Sequence, residues 1–183
     1  MRTRSLLSLA FVTLLVAPLS AQNIMVGGEA MYSSKDIVSN AVNSKDHTTL
    51  VAAVKAAGLV ETLQGKGPFT VFAPINGAFA VLPAGTVETL LKPENKSALT
   101  GVLTYHVLAG RYTARDIQKA IKKGKGTATF TTVNGQRLTA MMNGPMNVVL
   151  KDAKGGVSNI STYDAWQSNG VIHVIDHVLL PTM

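Results

Sequence analysis

The chain has 183 residues, with 17 lysines and arginines against 10 aspartates and glutamates, and it contains no cysteine. The lack of cysteine excludes disulfides, thiol catalysis and cysteine-based zinc sites. Only 5% of the residues are aromatic and none of them interleaves the lysines, so the net charge of +7 gives poor support to nucleic-acid binding.

The first 21 residues have the layout of a secretory signal peptide. Two arginines precede an apolar core from Leu6 to Val16, and small residues follow up to Ala21. The apolar run is short for a membrane span, and an uncleaved N-terminal anchor is the alternative. We therefore predict that residues 1–21 are removed, and that the rest is a secreted or periplasmic monomer without a transmembrane anchor.

The next part of the chain combines helical patterns with one buried strand. We predict a loose N-terminal arm over residues 22–32, followed by a short helix that Ser33 and Asp36 open as a capping box. Apolar positions then recur at helical spacing up to Gly58, which favours a left-handed helix end. The run "PFTVFAP" at 68–74 is rich in Val and Phe, which predicts a buried strand.

Three further helical patterns fill residues 84 to 124. The second of them places four side chains on one face, at spacings of three and four residues: Leu99, Val102, Leu103 and His106. In the third, Thr113 is the expected cap, with Asp116 three residues later. This helix ends in a basic patch of four lysines: Lys119, Lys122, Lys123 and Lys125. We interpret the patch as a solvated helix end. The alternative is a patch that binds an anionic polymer or a membrane surface.

After Gly126 apolar and polar residues alternate, which is typical of strands that are buried on one side. Asn-Gly at 134–135 and 143–144 and Gly-Gly at 155–156 supply turns with positive φ. Helices thus come first and antiparallel strands follow. This segregation predicts an α+β fold in a single domain over residues 33–183.

The segment "NGVIHVIDHVLLP" at 169–181 raises the question of a metal site, because H-x-x-D-H differs by one methylene from a zinc-protease motif. Its Val and Ile content and its flanking turn residues favour a strand over residues 170–180. A strand would hold His173 and His177 about 13 Å apart and turn Asp176 to the opposite face. We therefore expect a structural strand, no metal and no cofactor. Nucleophile-elbow and phosphate-loop motifs are also absent from the sequence.

Four segments together resemble the fasciclin domain. "GPFTVFAPINGAF" (67–79) and "NGVIHVIDHVLLP" (169–181) are similar to its two signature segments, "LTYHVLAG" (103–110) to its Tyr-His segment, and residues 31–63 to its N-terminal helices. The resemblance implies N-terminal helices packed on a β-sandwich-like wedge of mostly antiparallel strands. It also implies that the two signature segments are neighbouring core strands.

The resemblance further implies a non-enzymatic role in adhesion. Recognition segments of animal members fall on Tyr105 and His106 and on "TYDAW", which contains Asp164 and Trp166. These four residues are the candidate partner-binding residues. Packing at the helix end is the alternative for Tyr105 and His106, and burial in the core is the alternative for Trp166.

The expected partner is a cell-surface or matrix protein or an envelope polysaccharide. If Trp166 is exposed, it would suit stacking on a sugar ring. A different class of function is a periplasmic carrier or sensor of a small ligand, which would need an enclosed pocket of roughly several hundred Å³.

Overall fold

The computed structural model describes residues 23–182, and the predicted signal peptide lies outside them. The α-helices are α1 (Ile37–Ala41), α2 (Thr48–Ala57), α3 (Val60–Gln64), α4 (Asn76–Ala80), α5 (Thr86–Leu90), α6 (Lys96–Tyr105) and α7 (Ala114–Lys123). The strands are β1 (Ile24–Val26), β2 (Glu29–Met31), β3 (Phe69–Pro74), β4 (Val107–Ala109), β5 (Thr127–Thr131), β6 (Arg137–Asn143), β7 (Asn147–Lys151), β8 (Val157–Gln167) and β9 (Gly170–Ile175).

Seven strands form one sheet in the order β4-β3-β9-β8-β7-β6-β5. Neighbouring strands are antiparallel, except that β3 and β9 run parallel. The backbone N–H of Val133, after β5, donates to the carbonyl of Val107 in β4 at 2.8 Å, so the sheet is nearly closed. The predicted α+β fold is confirmed, and so is the neighbouring position of the two signature strands.

Two large hydrophobic cores lie on opposite faces of the central strands. Ile172 and Val174 of β9 face the core beneath α1, α2 and α6, whereas Ile175 faces the core beneath α7. Successive side chains of a strand point to opposite faces, which explains why β9 contributes to both cores. All six residues of β9 are buried.

The helix ends follow local sequence. Gly58 ends α2 with φ of 73°, as predicted, and Thr113 and Asp116 form the predicted capping box of α7. The start of α1 differs from the prediction. Asp36, not Ser33, is its cap, because Asp36 is extended and its carboxylate accepts a hydrogen bond from the Ser39 N–H at 2.9 Å.

The prediction of a loose N-terminal arm is wrong. Residues 24–31 form the hairpin β1–β2, which buries Val26 and Met31 in the core beneath α1, α2 and α6. Gly27 and Gly28 both have positive φ, which suits a tight turn between two strands. Strands of three residues are too short to show a period in the sequence. Among the helices of the described part, none is long and apolar enough to cross a membrane.

Candidate functional site

Tyr105, at the end of α6, is buried and faces inward. Its hydroxyl donates to the carbonyl of Arg137 at 2.7 Å and accepts from the N–H of Ala153 at 3.0 Å. One side chain thus joins α6 to β6 and to the turn after β7. This hydroxyl already has two backbone partners within the domain.

His106 is also buried, with 2% of its surface exposed. Its Nδ1 lies 2.8 Å from the carbonyl of Val102, and its Nε2 accepts from the N–H of Leu179 at 3.0 Å. Burial lowers the pKa of His106 to about 4, so the ring is neutral near pH 7. Both residues pack at the helix end, the alternative given for them, and contact of Tyr105 and His106 with a partner stays a prediction.

Asp164 lies in β8, where the pairing with β9 shifts register between Thr162 and Ala165. Its φ is 55°. Its Oδ1 accepts from the N–H of Ala114, the first residue of α7, at 2.8 Å, where the helix N-terminus favours a negative charge. Asp164 is therefore half-buried and joins β8 to α7.

His173 supports the same irregularity from β9. Its Nδ1 accepts from the N–H of Asp164 at 3.3 Å, and its Nε2 lies 2.9 Å from the carbonyl of Tyr112. The ring packs between Phe72 and Tyr163. Burial lowers the pKa of His173, which matches a neutral imidazole with one accepting and one donating nitrogen.

His177 belongs to a different environment, because β9 ends at Ile175 instead of continuing to residue 180 as predicted. His177 is exposed and pairs with Asp176 at 2.8 Å. Burial raises the pKa of Asp176, but hydrogen bonds from His177, Asn159 and Ser158 lower it to about 2. Within residues 23–182, no group of three metal-binding side chains comes together.

Trp166 is exposed, with 43% of its surface accessible. The core position considered for it is wrong. The guanidinium carbon of Arg111 lies 5.4 Å from the ring centroid, which is within the range of a cation–π contact. Arg111 comes shortly after β4, and Trp166 precedes the end of β8, so the strand order β4-β3-β9-β8 brings them together from distant parts of the chain.

An open groove of about 670 Å³ lies beside Arg111. Its walls are the loop 65–68, which contains Lys66, and the β8–β9 turn with Ser168 and Asn169. The Asn169 side chain accepts from the N–H of Ile37 and donates to two carbonyls at the end of α3, at 2.8 to 3.0 Å. The turn residues of this groove are therefore fixed by hydrogen bonds.

A second aromatic–cation contact flanks the same turn. The Lys35 Nζ lies 5.1 Å from the ring centroid of Tyr32, and Tyr32 is 44% exposed. The carbonyl of Lys35 accepts from the N–H of Ser168 at 2.9 Å. We call Tyr32, Lys35, Arg111 and Trp166 the aromatic–cation rim.

Sequence reasoning missed every member of the rim except Trp166. The other three residues stand at positions with no motif or period around them, and only the tertiary contacts connect them. The Asn-Gly pair at 169–170 is visible in the sequence as a turn. The sequence does not show that this turn forms a wall of the groove.

An apolar cavity of about 70 Å³ lies between α1, α2, α3, α6 and β3. Val38, Val54, Leu63 and Val71 are among the residues that line it. Ligand pockets usually measure roughly 300–1,000 Å³. The cavity is therefore far smaller than a carrier of a small ligand would need.

Comparison with known proteins agrees with this fold. A family model described as "Fasciclin domain" matches residues 45–181. The chain is 46% identical over 164 residues to "Protein sll1483" of Synechocystis, covering 88% of this chain and 82% of that protein. It is 34% identical over 193 residues to "Immunogenic protein MPB70" of Mycobacterium bovis, covering 94% and 91%.

A solved structure has the same fold. The pair of FAS1 domains from the insect cell adhesion molecule fasciclin I superposes with a TM-score of 0.70 at 18% identity. The match covers 80% of this chain and 51% of the insect chain, so this chain spans about half of that structure.

Proposed function

This chain belongs to the fasciclin domain family, and from that premise we propose that it is an exported, non-enzymatic adhesion module. It binds a cell-surface or matrix protein or an envelope polysaccharide through the surface around Trp166. The insect fasciclin I, which shares this fold, is a cell adhesion molecule, and its role supports this class of function.

The observation that carries the proposal is the exposure of Trp166, 43% of whose surface is accessible. Tryptophan is highly buried on average, and leaving its apolar ring in water costs free energy. Exposed aromatic residues and arginines are also the side chains that contribute most at binding interfaces. Trp166 and Arg111 provide one of each in direct contact.

Asp164 has an indirect role in this proposal. It lies two residues before Trp166 and its carboxylate holds the N-terminus of α7. The irregularity in β8 that contains Asp164 lies next to the strand segment that presents Trp166. Asp164 is therefore a positioning residue, and its replacement would change the orientation of the surface instead of removing a contact.

The alternative, a carrier or sensor of a small ligand, has weaker support. The apolar cavity of about 70 Å³ is several times below the usual size of a ligand pocket. Adhesion needs no enclosed cavity, since shallow surfaces with a few anchor residues suffice.

A bead-retention assay tests the proposed function. Beads coated with the purified protein are passed over cells of the source organism, over extracted envelope polysaccharide and over matrix protein. We expect saturable retention on at least one of these surfaces, lost in Trp166→Ala and kept in Met146→Ala. Met146 is the matched control because it is an even more exposed apolar residue, with 71% of its surface accessible.

Two outcomes would contradict the proposal. Absence of retention on all three surfaces would exclude adhesion to them. Equal loss in Trp166→Ala and Met146→Ala, with both variants folded, would show that retention reflects general surface hydrophobicity.

A further inference from the structure

We propose that the groove beside Arg111 binds acidic sugar units of a polysaccharide, carboxylated or sulfated, with Arg111 and Lys66 holding the anionic groups. Trp166 and Tyr32 of the aromatic–cation rim provide stacking surfaces for the sugar rings. This inference rests on the proposed function, because it names the chemistry of the adhesive partner.

The charge around the groove has one sign. Arg111 and Lys66 line it and are exposed, and Lys35 is joined to its wall at Ser168. In the part of the chain that the structure describes, none of the three has a carboxylate within 4.0 Å. Arg111 and Lys66, two unpaired cations that line one concavity, raise the local concentration of an anionic ligand.

The acidic residues that follow Lys35 and precede Lys66 along the chain do not offset this charge inside the groove. The carboxylate of Asp36 accepts hydrogen bonds from the backbone and the hydroxyl of Ser39. Glu61 lies in the first turn of α3, and among residues 23–182 no carboxylate lines the groove. The groove therefore presents positive charge without an internal counter-ion.

Arg111 is suited to an oxyanion with paired oxygens. Its guanidinium carbon lies over the indole ring, 5.4 Å from the ring centroid, and a cation–π contact does not need the N–H groups as hydrogen-bond donors, which leaves them available to a ligand. Those groups form a fork that matches carboxylate and sulfate oxygens in pairs. The indole contact also restricts the side chain before the ligand arrives, which lowers the entropy cost of binding.

The backbone that carries Arg111 is fixed as well. The hydroxyl of Thr70 donates to the carbonyl of Gly110 and accepts from the N–H of Tyr112, both at 2.8 Å. Arg111 lies between these two anchors. In the neighbouring loop 65–68, Gly67 has no room for a side chain, because a Cβ there would lie 2.0 Å from the carbonyl oxygen of Asn169.

The shape and chemistry of the groove favour a polysaccharide over a protein segment. Besides the cations, its walls carry the polar side chains of Gln64, Ser168 and Asn169, and Pro68 is the one apolar side chain among the described residues that line it. A peptide anchor needs an apolar pocket, whereas sugar hydroxyls need polar partners and an aromatic platform. Two such platforms connect to Ser168, Trp166 along β8 and Tyr32 through Lys35, whose carbonyl bonds the Ser168 N–H, and they suit several consecutive sugar units.

Binding of defined polysaccharides tests the inference. The probes are alginate, a polymer of carboxylated sugars, dextran sulfate, and neutral dextran, each titrated into the purified protein at low and at high ionic strength. We expect alginate or dextran sulfate to bind and neutral dextran not to bind. Binding of either acidic probe supports recognition of anionic sugar units. The ratio of the affinities for alginate and dextran sulfate identifies the preferred anionic group.

Variants then locate the binding site. We expect Arg111→Gln to weaken binding about tenfold or more, because it removes a charge-assisted, paired hydrogen bond. Arg111→Lys retains the charge but lacks the fork, and it should recover only part of the affinity. The matched control is Lys122→Gln with Lys123→Gln, which removes two exposed lysines at the end of α7.

Failure of this inference is distinguishable from failure of the proposed function. If beads are retained on cells but no acidic polysaccharide binds, the adhesive role stands and the inference is overturned. If the α7 lysine variant loses as much affinity as Arg111→Gln, binding is diffuse and the groove is not the site. If acidic polysaccharide binds through Arg111 but no surface retains the beads, the site stands without the adhesive role.

Discussion

The imidazole of His106 accepts a hydrogen bond from the backbone N–H of Leu179 at 3.0 Å, across 73 residues of sequence. Both residues are buried. The other ring nitrogen lies 2.8 Å from the Val102 carbonyl of the preceding helical turn. His106 therefore connects the end of α6 to the C-terminal segment, and it does so only as the neutral ring that accepts at Nε2.

Acid should destabilise the fold through its buried histidines. His47, His106 and His173 all have lowered pKa values, chiefly because burial disfavours the charged ring. The unfolded chain takes up protons near pH 6.5, whereas folded His106 takes one up only near about 4. The contribution of His106 to the free energy of unfolding is therefore fully present above pH 6.5, and it is lost as the pH drops from 6.5 toward 4.

Urea unfolding across that pH range measures the effect. The shift of His106 alone corresponds to about 3 kcal/mol of the free energy of unfolding. His106→Gln should be less stable than the parent at neutral pH and should show a shallower decline on acidification. An unchanged slope in this variant would mean that His106 does not contribute to the acid sensitivity.

Tyr105→Phe should lower the free energy of unfolding while leaving the shape of the core intact. The change removes one oxygen that bonds to the carbonyl of Arg137 and the N–H of Ala153. We expect a loss of about 1 to 2 kcal/mol in chemical denaturation. Tyr32→Phe is the matched control, because Tyr32 is exposed and a substitution at an exposed position usually changes stability by less than about 0.5 kcal/mol. Equal effects would contradict the structural role of Tyr105.

Asp164→Ala should destabilise the domain by about 1 to 2 kcal/mol, because it removes the acceptor for the first N–H of α7 and places alanine at positive φ. Asp164→Asn should lose less than half as much, because asparagine tolerates this backbone conformation and retains an oxygen acceptor. Thermal melting of the two variants beside the parent gives the comparison. Equal melting temperatures for the alanine variant and the parent would show that the bond to Ala114 contributes nothing.

Val174→Asp should unfold the domain. Val174 has 3% of its surface exposed and packs in the core beneath α1, α2 and α6. An unpaired carboxylate there costs several kcal/mol, against a total stability of about 5–15 kcal/mol for a typical domain. The matched control is Val157→Asp, since Val157 is also a strand residue but is 48% exposed. A cooperative unfolding transition of Val174→Asp would contradict the core position.

Local features of the fold were predictable because short-range sterics and hydrogen bonds determine them. Gly58 ends α2, Thr113 and Asp116 cap α7, and Asn134-Gly135 turns between β5 and β6. Each needs only a few consecutive residues. The hairpin β1–β2 escaped prediction because its strands have three residues each and are held by packing on distant helices.

The sequence by itself determined the α+β class, the end of α2, the cap of α7 and the Asn-Gly turns. Only the tertiary structure decided which of the four candidate residues face solvent: it buried Tyr105 and His106, bound Asp164 to α7 and left Trp166 exposed beside Arg111. The physical reason is the distance along the chain over which the deciding interactions act. Backbone conformation depends on neighbours along the chain, whereas exposure and contact between distant side chains depend on how the strands are ordered and how the helices pack on them.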